Sequence, residues 1–106
     1  PLALGEIPPN FWDLPRELWL HRPQTGESLR LVYFQAGQLQ TDAYWKLCAL
    51  LRDVRANRMA PMSPLVLDIL RGIFGFYQAW GYNAPILINS GFRTPETNKA
   101  IEGAAQ

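Results

Sequence analysis

The chain has 106 residues, of which 48% are apolar and 18% charged, and a formal net charge of +1 at pH 7. That length suits one domain burying about two-thirds of its unfolded surface, and the composition is globular rather than disordered. No Lys/Arg stripe suits nucleic acid, no run of about 18 apolar residues suits a membrane span, and the single cysteine, Cys48, allows no internal disulfide.

Residues 1–15 are proline-rich, with Pro8, Pro9 and Pro15 around Phe11 and Trp12. They predict an extended arm whose aromatics dock on the domain formed by residues 16–106, or on a partner. The first residues lack the charged start and long apolar segment of a signal peptide. Residues 17–22 and 28–34 predict two strands, with Leu18, Leu20, Leu29, Leu31 and Tyr33 in partial alternation and Pro23 to Glu27 as the turn. His21, the only histidine, reads as a strand-edge or surface residue, because one imidazole cannot build a zinc site that takes three protein ligands.

Thr41-Asp42 predicts a helix start, and Tyr44, Leu47, Cys48, Leu51 and Val54 form an apolar stripe carrying that helix to about Arg55. Cys48 lies on the stripe and reads as core. Trp45 and Leu50 lie off it, within reach of the hairpin, and Arg52, Asp53 and Arg55 read as a solvated ion-pair face. Ser63-Pro64 starts a second helix, whose predicted buried face is Val66, Ile69, Leu70, Ile73, Phe74, Tyr77 and Trp80. Gly72 and Gly75 weaken that helix and leave room for close approach by another element, the strand near Ile86 being the expected one. Gly81 caps its end, and residues 85–89 predict a short buried strand. Expected core residues are Leu47, Leu51, Leu70, Ile73, Tyr77 and Leu87. The pattern is α+β: a small antiparallel sheet, made of the hairpin and the 85–89 strand, with both helices on one face.

Ser90-Gly91 then breaks the strand and Thr94-Pro95 starts a last helix, which weakens at Gly103. Arg93 thus sits between a strand end and a helix mouth, where free N–H donors already favour anions. Two readings follow from that position: a group that grips carbonyl or carboxylate oxygens, or a cation paired with a carboxylate elsewhere in the fold.

Ser90-Gly91-Phe92-Arg93-Thr94-Pro95 followed by Asn98 resembles the Ser-Gly-Tyr-Arg-Ser-Pro…Asn signature of zinc-dependent murein peptidases. These are the D-Ala-D-Ala-type carboxypeptidases and, closer still, the YcbK-like murein endopeptidases. Three further blocks agree in order: Thr25-Gly26-Glu27 in the hairpin turn, Arg52-Asp53-Val54-Arg55 after the first helix, and Leu65 to Leu70 in the second. The likeness runs from about Leu18 to the end.

The resemblance implies a hedgehog/DD-peptidase fold, a single zinc ion with an activated water, peptidoglycan peptides as substrate, and the bacterial periplasm or envelope as location. It makes Arg93 the group that holds the peptide and its developing oxyanion, with Ser90 and Asn98 shaping the loop. Phe92 stands where the family more often has tyrosine, which removes one hydroxyl from the site. The zinc ligands of such enzymes, a His and an Asp just after this motif and a later His, have no counterpart in these residues. The expectation is therefore the N-terminal part of a zinc hydrolase, with Zn2+ held by the intact protein and not by these residues alone. The alternatives are a non-catalytic peptidoglycan-binding or scaffold module of the same fold, and an unrelated small α+β domain with another ligand at Arg93.

Overall fold

Glycine fixes the first turn. In the computed structural model, which describes residues 2–105, Gly26 has φ +75° and its N–H donates to Arg22 O at 2.8 Å. Strands β1 (Arg16–Arg22) and β2 (Glu27–Gln35) therefore pair antiparallel, Leu18 opposite Leu31 and Leu20 opposite Leu29. A left-handed Ala36-Gly37 pair turns the chain into β3 (Gln38–Leu39), a short strand absent from the sequence prediction. Helix α1 (Thr41–Leu50), helix α2 (Pro64–Ala79), strand β4 (Ile86–Leu87) and helix α3 (Pro95–Ala105) follow, and the last runs through Gly103. Ser63 Oγ accepts the Leu65 N–H and Pro64 opens α2, the predicted start. No side chain caps α1, where the residue before Thr41 is Gln40.

The architecture is α+β, with the sheet order β3-β2-β1-β4. The sheet is mixed rather than antiparallel, because β4 lies parallel to β1, with Ile86 beside Leu20 and Leu87 beside His21. After the hairpin the chain crosses through α1 and α2 and re-enters at the free edge of β1, and a long crossover of this kind permits parallel pairing. Leu18, Leu20 and Tyr33 bury their sheet face against Tyr44, Leu47, Cys48, Leu50 and Leu51 of the first helical segment and against Leu67 and Phe74 of α2. Both helices share that one core. Leu50, which lies off the apolar stripe, is buried, whereas Trp45 is exposed.

Helix α2 turns only the Leu70 and Phe74 edge of its predicted face to the sheet. Leu67, Arg71, Phe74 and Gly75 are buried and Leu70 is partly buried, while Val66, Ile69, Ile73, Tyr77 and Trp80 are exposed. Polar anchors explain the rotation. Tyr33 Oη donates to Asp68 Oδ1 at 2.7 Å, Arg16 reaches the same oxygen at 3.2 Å, and Arg71 Nη1 donates to Glu17 O at 3.3 Å. Burial, then the bond to Asp68, pushes the Tyr33 hydroxyl well above its usual pKa. The predicted 85–89 strand shortens to Ile86–Leu87, and its alternation also differs from expectation: Leu87 is exposed and Ile88, just after β4, is buried.

The first residues lie along α2. Phe11 is buried against Gly75, where a Cβ would collide with its ring, and Arg71 stacks over that ring at 4.2 Å. Gly5 N–H donates to Ala79 O at 2.7 Å. The close approach permitted by glycine is thus used by the arm and not by β4.

Candidate functional site

Helix α1 ends at Leu50, not near Arg55, because its last carbonyls are taken up by other partners. The buried Arg22 Nη1 donates to Leu50 O at 2.8 Å and to Arg52 O at 2.7 Å. Arg52 turns back to Ala49 O and forms an ion pair with Glu27 at 2.8 Å. Leu51 O accepts the Phe92 N–H at 2.7 Å. The segment then closes on itself, Asp53 and Arg58 exchanging backbone hydrogen bonds.

Asp53 is therefore not on a solvated face. It is 2% exposed, with Oδ2 accepting the Thr94 N–H at 2.7 Å and Oδ1 accepting the Ala56 N–H at 2.9 Å. Burial pushes its carboxyl pKa up, but the N–H donors of Ala56 and Thr94 and the hydroxyls of Thr97 and Thr94 outweigh this and hold it well below the usual carboxylate range. Thr94 Oγ1 in turn accepts the Thr97 N–H at 3.2 Å, so Thr94 caps α3 as its sequence position suggests.

A cavity of about 430 Å³ opens beside this junction. Arg93, Ser90 and Phe92 line it from one side, and Asp53 and Arg55 from the other, with Arg22 in its wall and Thr97 contributed by α3. Of the residues singled out from the sequence, Arg93, Ser90 and Phe92 therefore meet at one cavity. Asn98 lies outside its lining, and its N–H serves α3 by donating to Thr94 O at 3.0 Å. The sequence does not single out Arg22, Arg55 and Asp53 as site residues; the signal it holds for two of them is the Arg52-Asp53-Val54-Arg55 block, to which the resemblance assigns no role.

Arg93 and Arg55 are exposed, and among the described residues the ion pairs are Arg16–Asp68, Arg30–Glu17 and Arg52–Glu27. The cavity wall thus carries three guanidinium groups against one carboxylate, and that carboxylate is already engaged by backbone N–H groups. Burial, then the neighbouring Arg52, lowers the Arg22 pKa, and the Arg22 Nε finds no partner among the described residues. Such a wall can receive carboxylate or carbonyl oxygens. A zinc ion does not fit the donors present. Among the described residues no three His, Cys, Asp or Glu side chains gather to hold a metal; His21 lies in β1 beside Leu87, and Cys48 is buried in the core.

A family model described as peptidoglycan L,D-endopeptidase MepK matches residues 12–106. Proteins named peptidoglycan L,D-endopeptidase MepK from Escherichia coli (strain K12), Escherichia coli O157:H7 and Shigella flexneri are each 29% identical over 92 residues. Each match covers 87% of this chain and 49% of the relative, so the chain spans about half the length of the curated relatives it matches. No solved structure matches it significantly.

Proposed function

The chain belongs to the peptidoglycan L,D-endopeptidase MepK family, and on that premise we propose that it forms the substrate-gripping part of a murein peptide hydrolase of the bacterial envelope. The observation that carries this reading is the family match over residues 12–106, which includes the whole Arg93 loop. The cavity supports it: the exposed Arg93 stands on its wall, and among the side chains described, those of residues 2–101, no carboxylate forms an ion pair with it. Its planar fork suits a carboxylate or a carbonyl that gains negative charge, and fixed positive charge at such a point lowers the barrier to amide hydrolysis. Ser90 and Phe92 shape the near wall.

Zn2+ in the intact protein would supply an activated water, but its ligands are not among the described residues. Cleavage is accordingly assigned to a protein that also carries such ligands. The described residues bind and orient the peptide. Among them no helix is long and apolar enough to cross a membrane.

The test is Arg93→Ala in an intact protein carrying a complete metal site, assayed on purified murein. Turnover should fall by about 100-fold or more, the scale of losing one oxyanion donor, while metal content and thermal midpoint stay near the parent values. Arg93→Lys should restore only part, because it keeps the charge and loses the fork. Unchanged cutting by the alanine variant would refute the role of Arg93. A parent protein that binds murein peptides and never cuts them would instead make this a binding module.

A further inference from the structure

A cation on a loop is useful only if the loop is held in place. Ser90 to Thr94 has no helix or strand of its own, and its fastenings lie on the segment that ends α1, some 40 residues earlier in the chain. The residues on either side of Arg93 are each tied by a backbone N–H: Phe92 to Leu51 O at 2.7 Å, and Thr94 to Asp53 Oδ2 at 2.7 Å. Gly91 lies flat against the Leu51 carbonyl, with no space for a side chain. Arg93 thus hangs between two short bonds, one from a main-chain carbonyl and one from a carboxylate.

Both Asp53 oxygens hold main chain in place. One oxygen holds the Arg93 loop through Thr94, and the other holds its own turn through Ala56 at 2.9 Å. Each oxygen already accepts a backbone N–H, the Thr94 and Thr97 hydroxyls lie beside them, and the side chain is 2% exposed, so the carboxylate's acceptor sites face its own fold rather than a substrate. We propose that Asp53 is the positioning residue of the site: it fixes Arg93 against the cavity through the Thr94 amide and touches no substrate itself. This rests on the reading of Arg93 given above.

The substitution Asp53→Asn separates the possibilities, because an amide has one acceptor oxygen and presents N–H where the second acceptor was. Its one oxygen can stand where Oδ2 meets Thr94 or where Oδ1 meets Ala56, not in both places. The 106-residue chain and its Asp53→Asn, Arg93→Ala and doubly substituted forms are titrated with soluble murein peptides released by muramidase, and backbone amide exchange is followed by NMR. We expect the Asp53→Asn form to bind at least 10-fold more weakly and to exchange the Thr94 amide at least 10-fold faster, with core amides such as Phe74 still protected. The doubly substituted form should bind no worse than Arg93→Ala alone, as for residues acting as one unit.

If Asp53→Asn also exposes the core amides, the same readings are taken on Asp53→Glu. That variant keeps the charge and moves both oxygens by one methylene, and the same losses are expected. Parent-like binding and parent-like Thr94 protection in the variant that folds would overturn the proposal, as would losses that add to those of Arg93→Ala. If Arg93→Ala binds like the parent, the substrate role of Arg93 falls instead. The Thr94 exchange reading then still decides whether Asp53 holds the loop.

Discussion

Replacing Gly91 by alanine tests the junction at its tightest point. Gly91 is not among the glycines with positive φ, so its backbone suits any residue and steric contact alone decides the outcome. A Cβ there would collide with Leu51 O and would sit 2.9 Å from the Leu51 carbonyl carbon and 3.0 Å from its Cα. Carbon atoms pack best at about 3.5–4.0 Å, and the partner is backbone, so the loop must withdraw by roughly 1 Å to regain that spacing. The Phe92 N–H···O bond to Leu51, 2.7 Å in the parent, would then exceed the limit for a hydrogen bond. An orphaned carbonyl costs about 1–3 kcal/mol, and residual overpacking costs a similar amount. We expect Gly91→Ala to lose about 2–6 kcal/mol in urea denaturation with an unchanged slope. Gly72→Ala is the control: a Cβ there meets nothing within 4 Å, and the change should stabilise the helix by up to about 1 kcal/mol. A loss below about 0.5 kcal/mol for Gly91→Ala would show that the loop is not pressed onto α1 and would refute the reasoning.

The rotated face of α2 predicts a split between neighbouring positions. Leu67→Ala should cost about 2–5 kcal/mol and Phe74→Ala about 3–5 kcal/mol, whereas Ile73→Ala and Tyr77→Ala, at exposed sites, should each cost under about 1 kcal/mol. Equal losses at Ile73 and Leu67 in denaturant titrations would mean that the helix faces the other way. The Asp53 carboxyl predicts a pH dependence. Its folded pKa lies below the unfolded value near about 4, so its stabilisation is complete above that value and is lost as pH falls through the folded one. The midpoint gap between the parent and Asp53→Asn should therefore be constant above about pH 5 and narrow in more acid solution. A gap that does not change down to pH 2 would contradict a depressed carboxyl.

Local chemistry was legible in the sequence wherever a residue acts on its own neighbours. Gly26 in the hairpin turn, Ser63-Pro64 at α2 and Thr94 at α3 each do what their side chains favour within three or four residues. The face of α2 was legible only in part, because that helix carries apolar residues on two sides. Leu70 and Phe74 belong to the predicted face and meet the core, whereas Val66, Ile69, Ile73 and Tyr77 lie on its other side and Leu67 is the buried residue the periodicity misses. The choice falls to Asp68 and Arg71, whose bonds to Tyr33 and Glu17 bridge 35 and 54 residues.

The site follows the same logic. Arg93 could be singled out because a strand end and a helix start flank it in the chain itself. Asp53 could not, because a carboxylate between two arginines has the same pattern whether it faces water or a buried amide. Its burial depends on Thr94, 41 residues away, and on a parallel β4 that brings Thr94 back to α1. A buried charge persists only where donors meet it, so the fold has to be known before Asp53 can be told from Arg52 or Arg55. What the sequence does hold is the consequence: a glycine at position 91, where the loop and the end of α1 leave no room for anything larger.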